Sequence, residues 1–299
     1  MCGIVGLFLK DQSLEPELGS MLADMLEELG DRGPDSTGVA VYGRETSGLW
    51  KLTVRLPARL TGLDLAAALG EALNADVAVE ARGAHALLLL PAGISAEAVR
   101  WLRRERPDAV LVGEGRRMEL YKDVGRPEAV TARIGLRQAV GTHGVGHTRM
   151  ATESAVTIDG AHPFSTGPDQ CLVHNGSLSN HNDLRRMLRR EGLSFRTEND
   201  TEVAAGYLSW RMTQGLSVGE ALEASLADLD GFYTFVVGAE SGFGVLRDTY
   251  ACKPAVMAET ARYVAFGTEY RALAGLPGID GARVWEPEPR IAYFWENAA

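Results

Sequence analysis

The sequence predicts an α+β fold in which two antiparallel sheets stack between layers of helices. Three observations predict it: an apolar strand opens the chain, two helices occupy roughly 200–213 and 217–228, and a run of strands follows them. Strands first, helices in the middle and strands again fit sheets packed face to face and covered by helices.

Taken in order, GIVGLFL (3–9) reads as a buried strand. Leu18, Met21, Leu22, Met25, Leu26 and Leu29 then recur at three- and four-residue steps, placing one apolar stripe on a single helix face, with Gly30 as its stop. DRGPDSTG (31–38) is turn chemistry, and TGVAVYG returns as a strand. Residues 48–124 differ in texture: LTVRLP, DVAVEARG, AHALLLLPA and DAVLVGEGRRMELYKD are strand-like, LDLAAALGEAL and SAEAVRWLRRER helix-like, the latter starting at a Ser95 cap. The order β-α-β-β-α-β is the split motif of ferredoxin-like folds and reads as an inserted subdomain without a catalytic constellation. After residue 135 polar and turn motifs crowd together, and GFYTFVVGA, FGVLRD, PAVMAE and RYVAFGT supply the later strands. No internal repeat or low-complexity linker divides the chain.

The chain's 299 residues, 45% hydrophobic and 23% charged, are ordinary globular composition with ample material for a buried core. A net charge of −10 argues against nucleic acid or an anionic membrane surface as the main partner and favours small molecules or another protein. Cys2, Cys171 and Cys252 are far apart and form no CxxC, so neither a disulfide framework nor a metal or iron–sulfur site is expected. The N-terminus lacks the basic region of a signal peptide, and the most apolar run (84–91) is too short to span a bilayer. These features predict a cytoplasmic protein.

Cys2 carries the chemical question. With Met1 removed, one residue would hold both a thiol and an α-amine. A free thiol titrates at about 8.5 and an α-amine at about 7.7 to 8.0, so such a residue brings its own base. By itself, a lone Cys is more often a small core hydrophobe. Acyl transfer also needs oxyanion donors, and HNGS (174–177) offers an Asn amide and a Gly N–H at the end of the apolar strand CLV. Arg149, in GHTRMAT, offers a planar fork for a carboxylate. Asp200, in ENDTEV, could hold an ammonium or simply cap a helix. His147 and His162 are candidate bases or structural hydrogen-bond partners, with no metal-ligand spacing between them.

MCGIVGLF, RGPDSTGVAVYG, GHTRMATES, AHPF, LVHNGSLSNHNDLR, ENDTEV and LDGFYTFVVG, in this order, resemble the class II (Ntn-type) glutamine amidotransferases over residues 2–43 and 135–275. HTRMATES, CLVHNGSLSNHN, VLRDTYACKPAVMAET and the ending WEPEPRIAYFW are similar to stand-alone glutaminase subunits of glutamate synthase-like systems, including N-methylglutamate synthase. The resemblance implies a four-layer αββα sandwich, one domain over 2–299 interrupted by the insert at about 48–124. It implies that Cys2 is the nucleophile and its α-amine the base, with Asn175 and Gly176 as the oxyanion hole. By the same carry-over Arg149 holds the glutamine α-carboxylate, Asp200 holds its α-amine, and Thr152 and Arg32 line the pocket. Sugar-aminating relatives carry Trp where Met150 stands and His where Glu153 stands, which alters the pocket rim.

No GxxxxGK[ST] phosphate loop or GxGxxG fingerprint is present, so the nitrogen is expected to serve synthase subunits in a hetero-oligomeric complex. By resemblance, those partners would carry FMN and an iron–sulfur cluster, with no cofactor on this chain. The acidic surface, the insert and the aromatic tail from Trp285 to Trp295 are candidate docking surfaces. Two other readings compete: an N-terminal-Cys amidase for another amide, and a non-catalytic partner subunit. The first has no need of the Arg149–Asp200 pair, and the second none of the nucleophile.

Overall fold

The computed structural model describes residues 2–151 and 156–296. The first segment holds β1 (Gly3–Leu9), α1 (Leu18–Glu27), β2 (Ser36–Tyr42), β3 (Leu49–Arg55), α2 (Gly62–Leu73), β4 (Ala78–Arg82), β5 (His85–Pro91) and α3 (Ser95–Glu105). Next come β6 (Val110–Gly115), β7 (Met118–Val124), α4 (Pro127–Ile134), β8 (His143–Arg149), β9 (Phe164–Gly167), β10 (Gln170–Leu178), α5 (His181–Arg190) and α6 (Asp200–Thr213). The chain continues through α7 (Val218–Asp228), β11 (Gly231–Ala239), β12 (Gly242–Arg247), β13 (Val256–Glu259), β14 (Tyr263–Gly267), β15 (Arg283–Trp285) and β16 (Ala292–Glu296).

Two antiparallel sheets stack face to face. One has the order β15-β13-β14-β1-β8-β2-β7, the other β16-β12-β11-β10-β9. Strand alternation assigns each side chain its layer. Val5, Leu7 and Leu9 of β1 pack under α1, while Ile4 and Phe8 face the second sheet and meet Val173, Val236 and Phe243. The outer face of the second sheet, through Leu172, Phe235 and Val237, is covered by α5, α6 and α7. The architecture is the four-layer αββα sandwich, in an α+β chain. Each Leu, Ile or Phe fully withdrawn from water contributes about 1.5–3 kcal/mol, and three such clusters hold the layers together.

A third sheet, β4-β5-β3-β6, is antiparallel throughout and packs α2 and α3 on its own apolar cluster around Leu52, Leu65, Leu88 and Leu102. Two details differ from expectation. The run 108–123 is not one strand of the insert. It bends at Arg116, β6 stays in the third sheet, and β7 pairs with β2 on the edge of the seven-stranded sheet. The Asp169 carboxylate causes the bend by accepting from the backbone N–H groups of Arg116, Arg117 and Met118 at 2.7, 2.9 and 2.8 Å. Ser95 is not a cap: it is the first helical residue of α3, following a short 3₁₀ turn at Ala92–Ile94.

The aromatic tail forms edge strands. Trp285 on β15 and Tyr293 and Trp295 on β16 are half-buried and pack against the cluster between the sheets. Among the described residues no helix is long and apolar enough to cross a membrane.

Candidate active site

β1 lies at the centre of its sheet, and Cys2 immediately precedes it, half-buried. Strand direction brings four other segments to the same end of the sandwich: the end of β8, the turn before β2, the end of β10 and the start of α6. Cys2 Sγ lies 3.9 Å from the Met150 carbonyl, just past β8. The Cys2 carbonyl accepts from Asn175 Nδ2 at 3.3 Å and from Arg32 Nε at 3.3 Å. The residue that carries the thiol is therefore tied to both sheets.

Asn175 is buried on β10, opposite Thr234, while Gly176 beside it is exposed. Gly176 has φ +143°, and a Cβ there would lie 2.0 Å from the Phe232 carbonyl oxygen. Only glycine fits that backbone, which lies against the β11 main chain. Arg149 closes β8 opposite Ser36. The turn before β2 lies flat on it: a Cβ on Gly33 would come within 2.3 Å of the Thr148 carbonyl carbon. Asp35 completes that contact, its N–H donating to the Arg149 carbonyl at 3.0 Å and its carboxylate accepting from Ala151 N–H at 2.8 Å.

Asp200 is not the helix cap. Asn199 takes that place, its side chain accepting from Thr201 N–H at 2.8 Å. Asp200 Oδ2 instead accepts from Leu178 N–H at 2.9 Å, which ties α6 to the end of β10, and the carboxylate keeps about a fifth of its surface exposed. Arg32 reaches the site from the α1–β2 turn. Thr152 and Glu153 lie outside the described residues.

Three residues that the motifs did not single out complete the arrangement. Thr268 Oγ1 accepts from Ile4 N–H at 2.8 Å and from Asn175 Nδ2 at 3.4 Å, fixing the asparagine amide beside Cys2. The Glu269 carboxylate pairs with Arg32 and, at 2.6 Å, with Arg271. Burial raises the Glu269 carboxyl, but the Arg32 and Arg271 guanidinium groups outweigh it and hold the group below its usual range. Asp35 is the third. GTEYR follows the apolar strand YVAF just as HNGS follows CLV, so a polar group at a strand end was the available signal.

His147 and His162 are both fully buried with rings 4.2 Å apart. Burial pushes the His147 imidazole down to about 3 and that of His162 well below its ordinary value, so both rings are held neutral at working pH.

A family of glutamine amidotransferase domains matches residues 147–275. The glutamine amidotransferase-like protein GlxB of Rhizobium meliloti (strain 1021) is 58% identical over 299 residues, covering 99% of each chain. The chain belongs to the glutamine amidotransferase family. A putative glutamine amidotransferase of Methanothermobacter thermautotrophicus is 33% identical over 282 residues, covering 90% of this chain and 92% of its own. The glutamine phosphoribosylpyrophosphate amidotransferase of B. subtilis shares the fold, with a TM-score of 0.64 at 18% identity over 99% of this chain and 47% of that one. This chain thus spans about half the length of that structure. This member of the family has the amidotransferase fold and a glutaminase-type role.

Proposed function

We infer that this amidotransferase hydrolyses the side-chain amide of glutamine through an N-terminal Cys2 and hands the nitrogen to a synthase on another chain. One observation carries the reading. The Asn175 amide lies beside the Cys2 backbone next to an exposed Gly176 that no other residue could replace. The nucleophile and its two oxyanion donors thereby share one end of the sandwich.

With Met1 removed, the Cys2 α-amine takes the thiol proton. The thiolate then attacks the amide carbon, and the new oxyanion rests on Gly176 N–H and Asn175 Nδ2. The C–N bond breaks as the amine returns its proton to the leaving ammonia, and water cleaves the γ-glutamyl thioester to release glutamate. Arg149 takes the substrate α-carboxylate and Asp200 its α-ammonium, with Arg32 holding the nucleophilic residue in register.

The similarity of HTRMATES, CLVHNGSLSNHN and the C-terminal stretches to stand-alone glutaminase subunits supports a glutamate synthase-like partner, N-methylglutamate synthase among them. FMN and an iron–sulfur cluster would then belong to that partner chain. The unit built on the third sheet, the acidic surface and the half-buried aromatic tail are the docking candidates on this reading.

The test combines mass and kinetics. Intact-mass measurement should find Cys2 as the first residue, and Cys2→Ala should abolish glutamate release while leaving the thermal melt unchanged. A fully active preparation that retains Met1 would sink the mechanism. Turnover of the isolated chain should be slow and rise when partner subunits are added, as closure steps commonly produce. Full activity that no partner alters would overturn the subunit reading alone.

A further inference from the structure

Behind the substrate anchors runs a buried polar string that the chemistry above does not use. Asp200 Oδ1 faces His174 Nδ1 at 3.7 Å and Thr201 Oγ1 at 3.5 Å. His174 Nδ1 and Thr201 Oγ1 are 3.0 Å apart, and Thr201 Oγ1 is 3.1 Å from His162 Nε2. His162, His174 and Thr201 are all nearly or fully withdrawn from solvent. A cluster this polar in a core is costly unless its members satisfy one another.

The hydroxyl's inventory assigns the direction of the string. Thr201 has one proton to give, and a neutral imidazole has one donor and one acceptor nitrogen. Burial is the main force lowering the basicity of His174 and His162, so each ring is neutral, even with Asp200 opposing the shift at His174. The Asp200 carboxylate favours the His174 tautomer with its proton on Nδ1, pointing at both Asp200 and Thr201. The Asp200 carboxylate has no proton to give, so Thr201 donates its hydroxyl proton to Asp200 Oδ1 and accepts from His174 Nδ1 and His162 Nε2. The Leu178 N–H fixes one Asp200 oxygen, and the string faces the other.

On the reading of Asp200 as the ammonium anchor, we propose that Thr201 and His174 are positioning residues for glutamine recognition. They hold the Asp200 carboxylate at one rotation, with lone pairs left for the substrate α-ammonium. His174 joins the two halves of the site: its Nδ1 faces Asp200, and its Nε2 lies where a Cβ on Gly176 would come within 2.9 Å. Neither residue touches the scissile amide, so the effect belongs to binding of the α-ammonium and not to bond cleavage.

The experiment compares glutamine with 4-carbamoylbutanoate, which is glutamine without its α-amine, in the partner-activated enzyme. Asp200→Asn should raise KM for glutamine by about 100-fold and KM for the analogue by less than about twofold. Thr201→Val should raise KM for glutamine about tenfold, the size of one hydrogen bond in a chain ending on a charge, with kcat and the analogue's KM within about twofold. Thr201→Ser keeps the hydroxyl and should restore the glutamine KM. His162→Gln cuts the string from its far end and is the variant to read where Thr201→Val does not fold. A strong Asp200→Asn effect with unchanged glutamine KM in both string variants overturns the positioning role and leaves the anchor standing. Equal losses for the two substrates in those variants also overturn it, because they mark packing alone. No preference for glutamine over the analogue in the Asp200→Asn loss overturns the anchor itself, and the positioning role with it.

Discussion

Replacing Gly176 by alanine perturbs the proposed oxyanion hole by a single methyl group. The added carbon would stand 2.0 Å from the Phe232 carbonyl oxygen, 2.8 Å from Tyr233 Cα and 2.9 Å from His174 Nε2. Two of those three obstacles are backbone of β11, which cannot rotate away. Carbon–oxygen contacts close at about 3.3 Å, so the strands must part by about 1 Å where Gly176 faces Tyr233. The φ of +143° adds strain of about 1–3 kcal/mol for any side chain. A misplacement of about 1 Å in a group that must meet the transition state costs on the order of 10²-fold in rate. Gly176→Ala should therefore lower kcat about 10²-fold. Its KM should change little, because the proposed anchors for the α-carboxylate and α-ammonium, Arg149 and Asp200, belong to other elements. The strain alone should lower Tm by about 2–10 °C. Glutamate release gives the kinetic constants, and a thermal melt gives the stability. A variant that keeps more than about a tenth of the wild-type kcat would refute the placement of the oxyanion donor at Gly176.

Further outcomes follow from the same geometry. Asn175→Ala should lower kcat by about 10² to 10³ with little change in KM, since the amide's bond tightens only as the oxyanion forms; a KM effect alone would move Asn175 to ground-state binding. Arg149→Ala should show mainly as a large rise in glutamine KM, measured by initial rates, because the α-carboxylate keeps its charge throughout the reaction; an unchanged KM would remove Arg149 from that role. Acid should destabilise the fold through its buried histidines. Burial pushes His143 and His147 down to about 3 and His85 to about 4. Between those values and the ordinary histidine pKa of about 6.5, the unfolded chain binds protons that the folded chain refuses. Stability is therefore complete above about 6.5 and falls as pH drops toward 4, which denaturant midpoints at stepped pH will show; a flat profile would mean these rings take up protons in the fold as readily as in the unfolded chain.

The sequence by itself determined the layers and the chemistry-bearing motifs. Periods of three to four residues marked α1, and α6 and α7 span the stretches expected of them, because helix and strand periodicity are local properties of neighbouring side chains. Cys2, Arg149, the HNGS turn and Asp200 were each legible as groups at an element's end. Only the tertiary structure decided how they meet. Whether Asp200 caps its helix or reaches across to β10 depended on Asn199 taking the cap and on Leu178 lying 22 residues back in the chain. The split of 108–123 between two sheets depended on Asp169, more than 50 residues away from the N–H groups it binds. Thr268 is tied to Ile4 across 264 residues, and Glu269 to Arg32 across 237. Such partners are chosen by sheet order and register, which follow from how whole apolar faces pack, and no local spacing encodes them.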